Sequence, residues 1–148
     1  MPSRIGNLLV AAMVRSPLYF LLGDSFAVIT AQDRKTGRFY STPINVQAEN
    51  AAWTAFSLRS RQWWRNLRGR RTARLRIGGK EMEVVAEVVD QPDQIMAGFA
   101  SFFERRPGYA KYFGIRLGSD SRPVSGDLER LARERVIIRL SPRVPTTR

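Results

Sequence analysis

The sequence contains no cysteine and no histidine. Without cysteine, the chain can form no disulfide, offers no thiol nucleophile and cannot hold a metal through thiolates. Without histidine, it lacks the commonest general base and the usual ligand of zinc and haem. If the chain is an enzyme, we therefore expect a bound cofactor to carry the chemistry.

Acidic residues are scarce as well. The 148 residues include 25 lysines and arginines against 13 aspartates and glutamates, which gives a net charge of +12. Such an excess favours acidic ligands, polyanions or an anionic membrane surface. The hydrophobic share of 43% is typical of a folded protein, and the length predicts a single domain over 1–148.

Long hydrophobic runs are missing too. No uninterrupted apolar stretch approaches the ~18 residues of a membrane-spanning helix, and Arg15 interrupts the N-terminal apolar region, so a secretory signal is not expected. We therefore predict a cytoplasmic protein. Apolar residues at helical spacing predict an N-terminal helical leader over 1–24 that covers one end of the core. Reversible attachment of residues 1–22 to a membrane surface is the alternative.

The remaining sequence predicts strands more than helices. Six segments have the alternation, or the β-branched and aromatic content, of β-strands: 26–32, 39–47, 51–57, 72–77, 80–89 and 136–140. Helical periodicity follows Pro92 and places Ile95, Met96, Phe99, Phe102 and Phe103 on one apolar stripe, which we expect in the core. A short helical turn covers 109–113, a charged helix covers 128–135, and a flexible tail is expected over 142–148. Short antiparallel strands with few helices predict an α+β, mainly β fold, in the form of a six-stranded antiparallel β-barrel with peripheral helices.

The most unusual stretch runs from Ser57 to Ile77 and places eight arginines around the pair Trp63–Trp64. Guanidinium groups bind phosphate or carboxylate in bidentate geometry, and indole faces stack on flat rings. A flat anionic ligand would suit both, whereas the alternative is a solvated basic face beside two core tryptophans. Because neighbouring residues cannot share one helix face, we expect one tryptophan in the core and the other facing the ligand.

The motifs occur in a recognisable order. A first strand is followed by an R-K-T-G-R turn, a strand containing S-T-P, a strand ending in serine, W-W-R-N-L, a G-G hairpin and P-G-Y-x-x-Y. Over roughly Phe26 to Leu140, this series resembles the deazaflavin-dependent nitroreductase family. The resemblance implies a split β-barrel related to the flavin-binding pyridoxamine-phosphate-oxidase-like barrels, which are often homodimers. It also implies a reductase that transfers hydride from reduced coenzyme F-420 to a quinone, nitro or enone-like small-molecule acceptor, with flavin mononucleotide (FMN) as the alternative cofactor.

The resemblance further implies which residues form the site. The basic turn and the next strand would hold the deazaflavin and its phosphate through Arg34, Lys35, Arg38, Thr42, Pro43 and Asn45. Ser57, Arg59 and Arg61 would face the phosphate and the acidic tail, and Trp63, Trp64 and Asn66 would lie beside the cofactor. Tyr109 and Tyr112 would line the substrate side of the ring as candidate proton donors, and no metal is expected. Two positions depart from the family: Tyr40, where many members carry arginine, and Arg106, where the nitroreductases carry tyrosine.

Alternatives stay open for the turn and for the function. The basic turn is either an anion-binding nest of backbone amides or a solvated hairpin. A cofactor-free or lipid-binding barrel would keep the fold without redox turnover, which the apolar leader and Tyr40 favour. Nucleic-acid binding by the basic stripe and the tryptophans ranks lowest. Arg74 and Arg76 alternate with core residues, and the strand after Gly78-Gly79 carries glutamates that can pair with them.

Overall fold

The computed structural model describes residues 26–120 and 122–143. In this part of the chain the strands are β1 (Phe26–Gln32), β2 (Phe39–Glu49), β3 (Ala52–Leu58), β4 (Thr72–Ile77), β5 (Lys80–Val89) and β6 (Arg135–Pro142). The α-helices are α1 (Pro92–Arg105) and α2 (Ser125–Glu134). Two 3-10 helices are named here the tryptophan turn (Trp63–Leu67) and the tyrosine turn (Pro107–Phe113). The predicted leader over 1–24 and residues 144–148 of the predicted tail lie outside the described residues.

The six strands close an antiparallel barrel in the order β1-β2-β3-β6-β5-β4. The predicted fold class, α+β and mainly β with a six-stranded antiparallel barrel, is therefore confirmed. No helix within residues 26–120 and 122–143 is long and apolar enough to cross a membrane.

The β4–β5 hairpin forms as its sequence predicts. Gly78 and Gly79 both take positive φ angles, 58° and 78°, which suit a two-residue hairpin turn and which glycine adopts without steric cost. Ile77 and Lys80 are therefore directly opposite each other, and the register places Arg74 opposite Glu83. The predicted pairing of arginine with glutamate across these strands is confirmed, with Arg74 Nη1 lying 3.6 Å from Glu81 Oε1.

Pro43 marks a stretch of β2 that pairs on one side. It lies opposite Val28 in the β1–β2 ladder, whereas the ladder between β2 and β3 covers Val46 to Glu49. Because proline has no N–H to donate, an edge-like position of this kind tolerates it. The strand is thus able to carry proline in its middle.

The chain divides into two compact units, which are described separately. The barrel unit contains the described residues of 1–56, 62–88 and 138–148. Along its strands, small and branched aliphatic side chains alternate with exposed ones and form the buried interior: Ala27, Ile29, Ala31, Ile44, Val46, Ala55, Ala73, Leu75, Val84, Ala86, Ile138 and Leu140. Burial on one face of each strand is what the period-two pattern of the sequence requires.

The helical unit contains residues 57–61 and the described residues of 89–137. Its core is the aromatic stripe of α1, where Phe99, Phe102 and Phe103 are buried. Phe113 of the tyrosine turn packs edge-on against all three, with ring centroids 5.4, 6.4 and 5.6 Å away. Edge-to-face geometry at these distances is favourable for aromatic pairs, so the stripe has the structural role that the sequence predicted.

Several element boundaries differ from the prediction, and at two of them tertiary hydrogen bonds account for the difference. Helix α2 begins at Ser125 rather than at 128, and Asp127 in its first turn accepts a hydrogen bond from the backbone N–H of Arg116 at 2.8 Å. Strand β6 continues to Pro142 rather than ending at 140. Arg143 then donates its backbone N–H to Glu83 O at 2.9 Å and pairs its guanidinium with the Glu83 carboxylate at 2.5 Å. Tertiary hydrogen bonds extend both elements beyond their local sequence signal.

Candidate cofactor site

The basic turn between β1 and β2 is organised by Asp33. Its carboxylate oxygen Oδ1 accepts hydrogen bonds from the backbone N–H groups of Lys35 at 2.7 Å and Thr36 at 3.0 Å. These hydrogen bonds, with that from Thr36 the larger cause, hold the pKa of Asp33 below its ordinary value of 3.8. The two amides that would form an anion nest are thus occupied by the carboxylate of the turn itself. Lys35 and Arg38 remain exposed at the surface.

Both tryptophans of the tryptophan turn are buried. Trp63 is 7% exposed and Trp64 is 0% exposed, so the expected division into one core residue and one ligand-facing residue is absent from this structure. The guanidinium groups of Arg65 and Arg68 lie 5.1 and 4.8 Å from the centroid of the Trp64 ring. These distances are within the range of cation–π attraction. Both indole rings are therefore part of the buried interior, and two arginines pack against the ring of Trp64.

Tyr40 connects the tryptophan turn to the wall of the barrel. Its hydroxyl donates a hydrogen bond to the carbonyl oxygen of Trp63 at 2.9 Å and accepts one from Asn66 Nδ2 at 3.1 Å. Burial is the main cause that raises the pKa of Tyr40 above 10.0, while the hydrogen bond from Asn66 acts in the opposite direction. Tyr40, which differs from the arginine of the family that the sequence resembles, thus has a structural role here: its hydroxyl links Trp63 and Asn66.

Arg34 completes the same network from the basic turn. Its backbone N–H donates to Asn66 Oδ1 at 3.2 Å and its Nε donates to Asn66 O at 3.3 Å. Its Nη2 donates to the carbonyl oxygen of Arg68, and Arg71 Nη1 also donates to Asn66 O at 3.2 Å. The structure therefore brings Arg34 and Asn66 together, as the site prediction requires, but it uses their polar groups to fix the turn.

The predicted residues of β2 lie on opposite faces of the sheet. Thr42 is buried beside Ile44 and Val46 on the interior face, because side chains alternate along a strand. Pro43 and Asn45 lie on the outer face and are half-buried. Pro43 and Asn45 thus lie on the face opposite to Thr42, whose side chain points into the core.

Asn45 carries an unusual polar atom. Among the described residues, the buried side-chain atoms that lack a hydrogen-bond partner are Asn45 Oδ1, Trp64 Nε1 and Arg135 Nε. Buried polar atoms without a partner are rare in native proteins, and each costs about 1–3 kcal/mol. Two of these three residues, Asn45 and Trp64, belong to the predicted cofactor set, and both lie in the barrel unit.

In the helical unit, Ser57 and Arg59 serve local structure. Ser57 is buried, and its hydroxyl donates to Leu58 O at 3.0 Å. Arg59 Nη2 donates to the carbonyl oxygens of Asp90 and Ala132 at 3.2 and 3.0 Å. Because the last carbonyls of a helix lack intrahelical partners, Arg59 caps the C-terminal end of α2. Arg61 is exposed.

The two tyrosines of the tyrosine turn have different environments. Tyr109 is half-buried and packs edge-on against Phe102 of α1, with ring centroids 5.6 Å apart. Tyr112 is 46% exposed, lies 6.0 Å from the Tyr109 ring, and has the ammonium of Lys111 5.3 Å from its ring centroid. Tyr109 is therefore anchored by packing, and Tyr112 presents nearly half of its surface to solvent. No group of acidic side chains in the described ranges could hold a metal ion.

Comparisons with known proteins support the fold. No family model and no curated protein matches the chain. A protein of unknown function from Agrobacterium tumefaciens str. C58 matches with a TM-score of 0.52 and 16% identity, over 88% of this chain and 56% of that one. A conserved hypothetical protein from Mycobacterium tuberculosis matches with a TM-score of 0.55 and 16% identity, over 85% and 78%. An F-420 reductase matches with a TM-score of 0.47 and 16% identity, over 86% and 93%. The first two likenesses show a shared fold, and this chain spans 56% of the length of the first protein.

Proposed function

We propose that this chain binds coenzyme F-420 and acts as a reductase toward a quinone, nitro or enone-like small-molecule acceptor. The observation that carries the proposal is the unpaired carbonyl oxygen of Asn45, Oδ1, which is enclosed in the outer wall of the barrel unit. A ring N–H of a deazaflavin is a hydrogen-bond donor of the kind that this oxygen lacks. Binding the ring there would remove the free-energy cost of the unpaired acceptor. When bound, the cofactor supplies a hydride from its C5 position.

Charge complements the ring contact. Lys35 and Arg38 are exposed in the basic turn of the same unit, next to the fixed carboxylate of Asp33. Cationic side chains at such a position would attract the phosphate and the acidic tail of the cofactor. Arg34 is assigned a different role, because its guanidinium donates to the carbonyls of Asn66 and Arg68. Arg34 is therefore a positioning residue that holds the turn beside the tryptophans.

The composition of the chain fits chemistry that a cofactor carries. With no histidine and no cysteine, the candidate proton donors at the acceptor are the phenols of Tyr109 and Tyr112 and solvent water. Solvent water can supply the proton in place of either tyrosine. The protein would contribute orientation of the ring, neutralisation of the anionic tail and exclusion of water from the acceptor.

A cofactor-free barrel is the second candidate, and one observation favours it. Arg34, Tyr40 and Asn66 hydrogen-bond to one another's side chains or to the backbone of the tryptophan turn. A site that satisfies so many of its own polar groups needs no ligand to do so. The two candidates differ at Asn45 Oδ1, which stays unpaired in the cofactor-free barrel and would accept a hydrogen bond from the bound cofactor.

Turnover separates the two candidates. Reduced coenzyme F-420 is mixed with the full chain and menadione, and oxidation of the cofactor is followed by its absorbance. We expect catalytic oxidation that Lys35→Ala slows by raising KM for the cofactor, because uniform binding is lost. Arg76→Gln, on the outer face of β4, is the matched control and should leave turnover unchanged. A rate equal to that of the protein-free mixture, with nitro and enone acceptors as well, would favour the cofactor-free barrel.

A further inference from the structure

A cavity of about 530 Å3 opens on the barrel unit where β1 and β4 stop pairing. The ladder between these strands ends at the pair Thr30–Arg74, although β1 continues to Gln32 and β4 already begins at Thr72. The volume of the cavity is within the range of pockets that enclose one small molecule. None of the residues of the proposed cofactor site lines it.

The floor of the cavity is apolar and small. Ala31 and Ala73 line it and are themselves buried, so their methyl groups leave room that a larger side chain would fill. Phe39 stands at the wall and is 68% exposed, the highest value among the large hydrophobic residues in the described ranges. An exposed phenyl ring next to an apolar floor offers a stacking surface for a flat ring.

The charge of the lining is positive. Arg71 is half-buried and is fixed by one hydrogen bond, from Nη1 to Asn66 O at 3.2 Å, which leaves its other guanidinium N–H donors for a ligand. Arg74 also lines the cavity and lies 3.6 Å from Glu81. The acidic residue of the lining, Glu83, already pairs with Arg143 at 2.5 Å. The lining therefore contains two guanidinium groups and one carboxylate, and that carboxylate is paired with a third guanidinium, that of Arg143.

From these features we propose that the cavity binds a planar aromatic ring that carries one anionic group. The ring would stack on Phe39, and the anion would pair with the guanidinium of Arg71, with Arg74 also in the lining. Guanidinium groups favour carboxylates through paired N–H donors, and the anchoring of Arg71 by Asn66 lowers the entropy lost on binding. This site is distinct from the cofactor site proposed above.

Naphthalene carboxylate is the probe, and binding to the full chain is measured by titration calorimetry. We expect binding that weakens about tenfold for the uncharged naphthalene carboxamide, since one charge-assisted contact is lost. Cyclohexane carboxylate, which has the charge without the flat ring, should bind about fivefold more weakly or worse. In amide NMR spectra, the signals of Ala31 and Ala73 should shift on titration with the carboxylate.

Variants locate the probe on the protein. Phe39→Ala removes an exposed ring and Arg71→Gln removes the half-buried charge, and each should weaken binding of the carboxylate about fivefold to tenfold. Arg76→Gln is the matched control, because Arg76 lies on the same face of β4 as Arg74 but outside the lining of the cavity. This variant should change the affinity for the carboxylate less than twofold. Asn45→Leu should also leave this affinity unchanged, which keeps the test separate from the proposed function. Equal affinity for carboxylate and carboxamide, or carboxylate binding that both Phe39→Ala and Arg71→Gln leave intact, would overturn the proposal.

Discussion

Replacing Tyr40 by phenylalanine removes one oxygen atom from the centre of the network that holds the tryptophan turn. The hydroxyl makes two hydrogen bonds, to Trp63 O at 2.9 Å and from Asn66 Nδ2 at 3.1 Å. Each such bond contributes about 0.5–1.5 kcal/mol to the free energy of unfolding, and an acceptor left buried without a partner adds to the loss. We therefore expect Tyr40→Phe to lower the free energy of unfolding by about 1–3 kcal/mol.

The assay is urea unfolding followed by tryptophan fluorescence, with the midpoint and the slope fitted separately. The midpoint should fall while the slope stays constant, since the surface exposed on unfolding is unchanged. Tyr109→Phe is the matched control, because the structure shows ring packing for Tyr109 and no hydrogen bond of its hydroxyl to a described residue. That variant should change stability by less than about 0.5 kcal/mol.

Two further measurements test whether the hydroxyl of Tyr40 holds the tryptophan turn. In a double-mutant cycle with Asn66→Ala, the two substitutions should be non-additive by at least about 0.5 kcal/mol, because they remove the same contact. The pKa of Tyr40 is raised by burial, so its contribution to stability is present below the unfolded pKa near 10 and is lost as pH rises through the folded pKa. The alkaline loss of stability should therefore be smaller in Tyr40→Phe than in the wild-type chain. Additive substitutions and identical alkaline curves would show that the network does not hold the turn.

Three other predictions concern the helical unit. A Cβ at Gly98 would lie 2.6 Å from Ile137 Cδ1, so Gly98→Ala should lower the free energy of unfolding in urea by about 1–2 kcal/mol, because the cost of overpacking exceeds the gain in helix propensity. Gly126→Ala, with no atom within 4 Å of the added Cβ, should instead raise the free energy of unfolding. A change of the same sign in both variants would contradict the account. Hydrogen bonds from Arg116, of which that from its backbone N–H is the largest cause, lower the pKa of Asp127. The wild-type chain should therefore be more stable than Asp127→Asn above the unfolded pKa near 3.8, and this difference should vanish as pH falls through the folded pKa. A difference that persists in acid would contradict this role of the carboxylate. Tyr112→Ala should keep stability within about 0.5 kcal/mol while lowering kcat for bulky acceptors, whereas Tyr109→Ala should cost about 1–3 kcal/mol; the reverse order in melting experiments would exchange the two roles.

The parts of the fold that could be predicted are those that depend on local sequence. The β4–β5 hairpin was predicted to the residue because Gly78-Gly79 specifies a two-residue turn and the alternation on either side fixes the register. The aromatic stripe of α1 was predicted for the same reason, since its period is a property of one helix. The start of α2 was not predicted, because the hydrogen bonds between Asp127 and Arg116 join residues on either side of a loop.

The site was less predictable because its polar contacts join residues that are distant in sequence. Tyr40 was noted for what it replaces, and the sequence carries no signal that its hydroxyl lies between Trp63 and Asn66. The burial of both Trp63 and Trp64 likewise depends on tertiary packing rather than on helical spacing. The net positive charge could be read from the composition. The hydrogen-bond partners of Arg34 and Arg59 could not, because they are backbone carbonyls, which no sequence motif specifies.

The measurement that tests the proposed function most directly is a fluorescence-quenching titration of the wild-type chain and Asn45→Leu with coenzyme F-420 and with FMN. Leucine is close in shape to asparagine and lacks the unpaired oxygen, so Asn45→Leu should hold or raise the free energy of unfolding while weakening F-420 about tenfold or more. The wild-type chain should bind F-420 more tightly than FMN, because the longer anionic tail adds charge-assisted contacts to the basic turn. Ser41→Ala, at an exposed position on the same strand, is the control and should bind as the wild type does. Equal affinities for F-420 in the wild-type chain and Asn45→Leu, with equal affinity for FMN, would contradict the account.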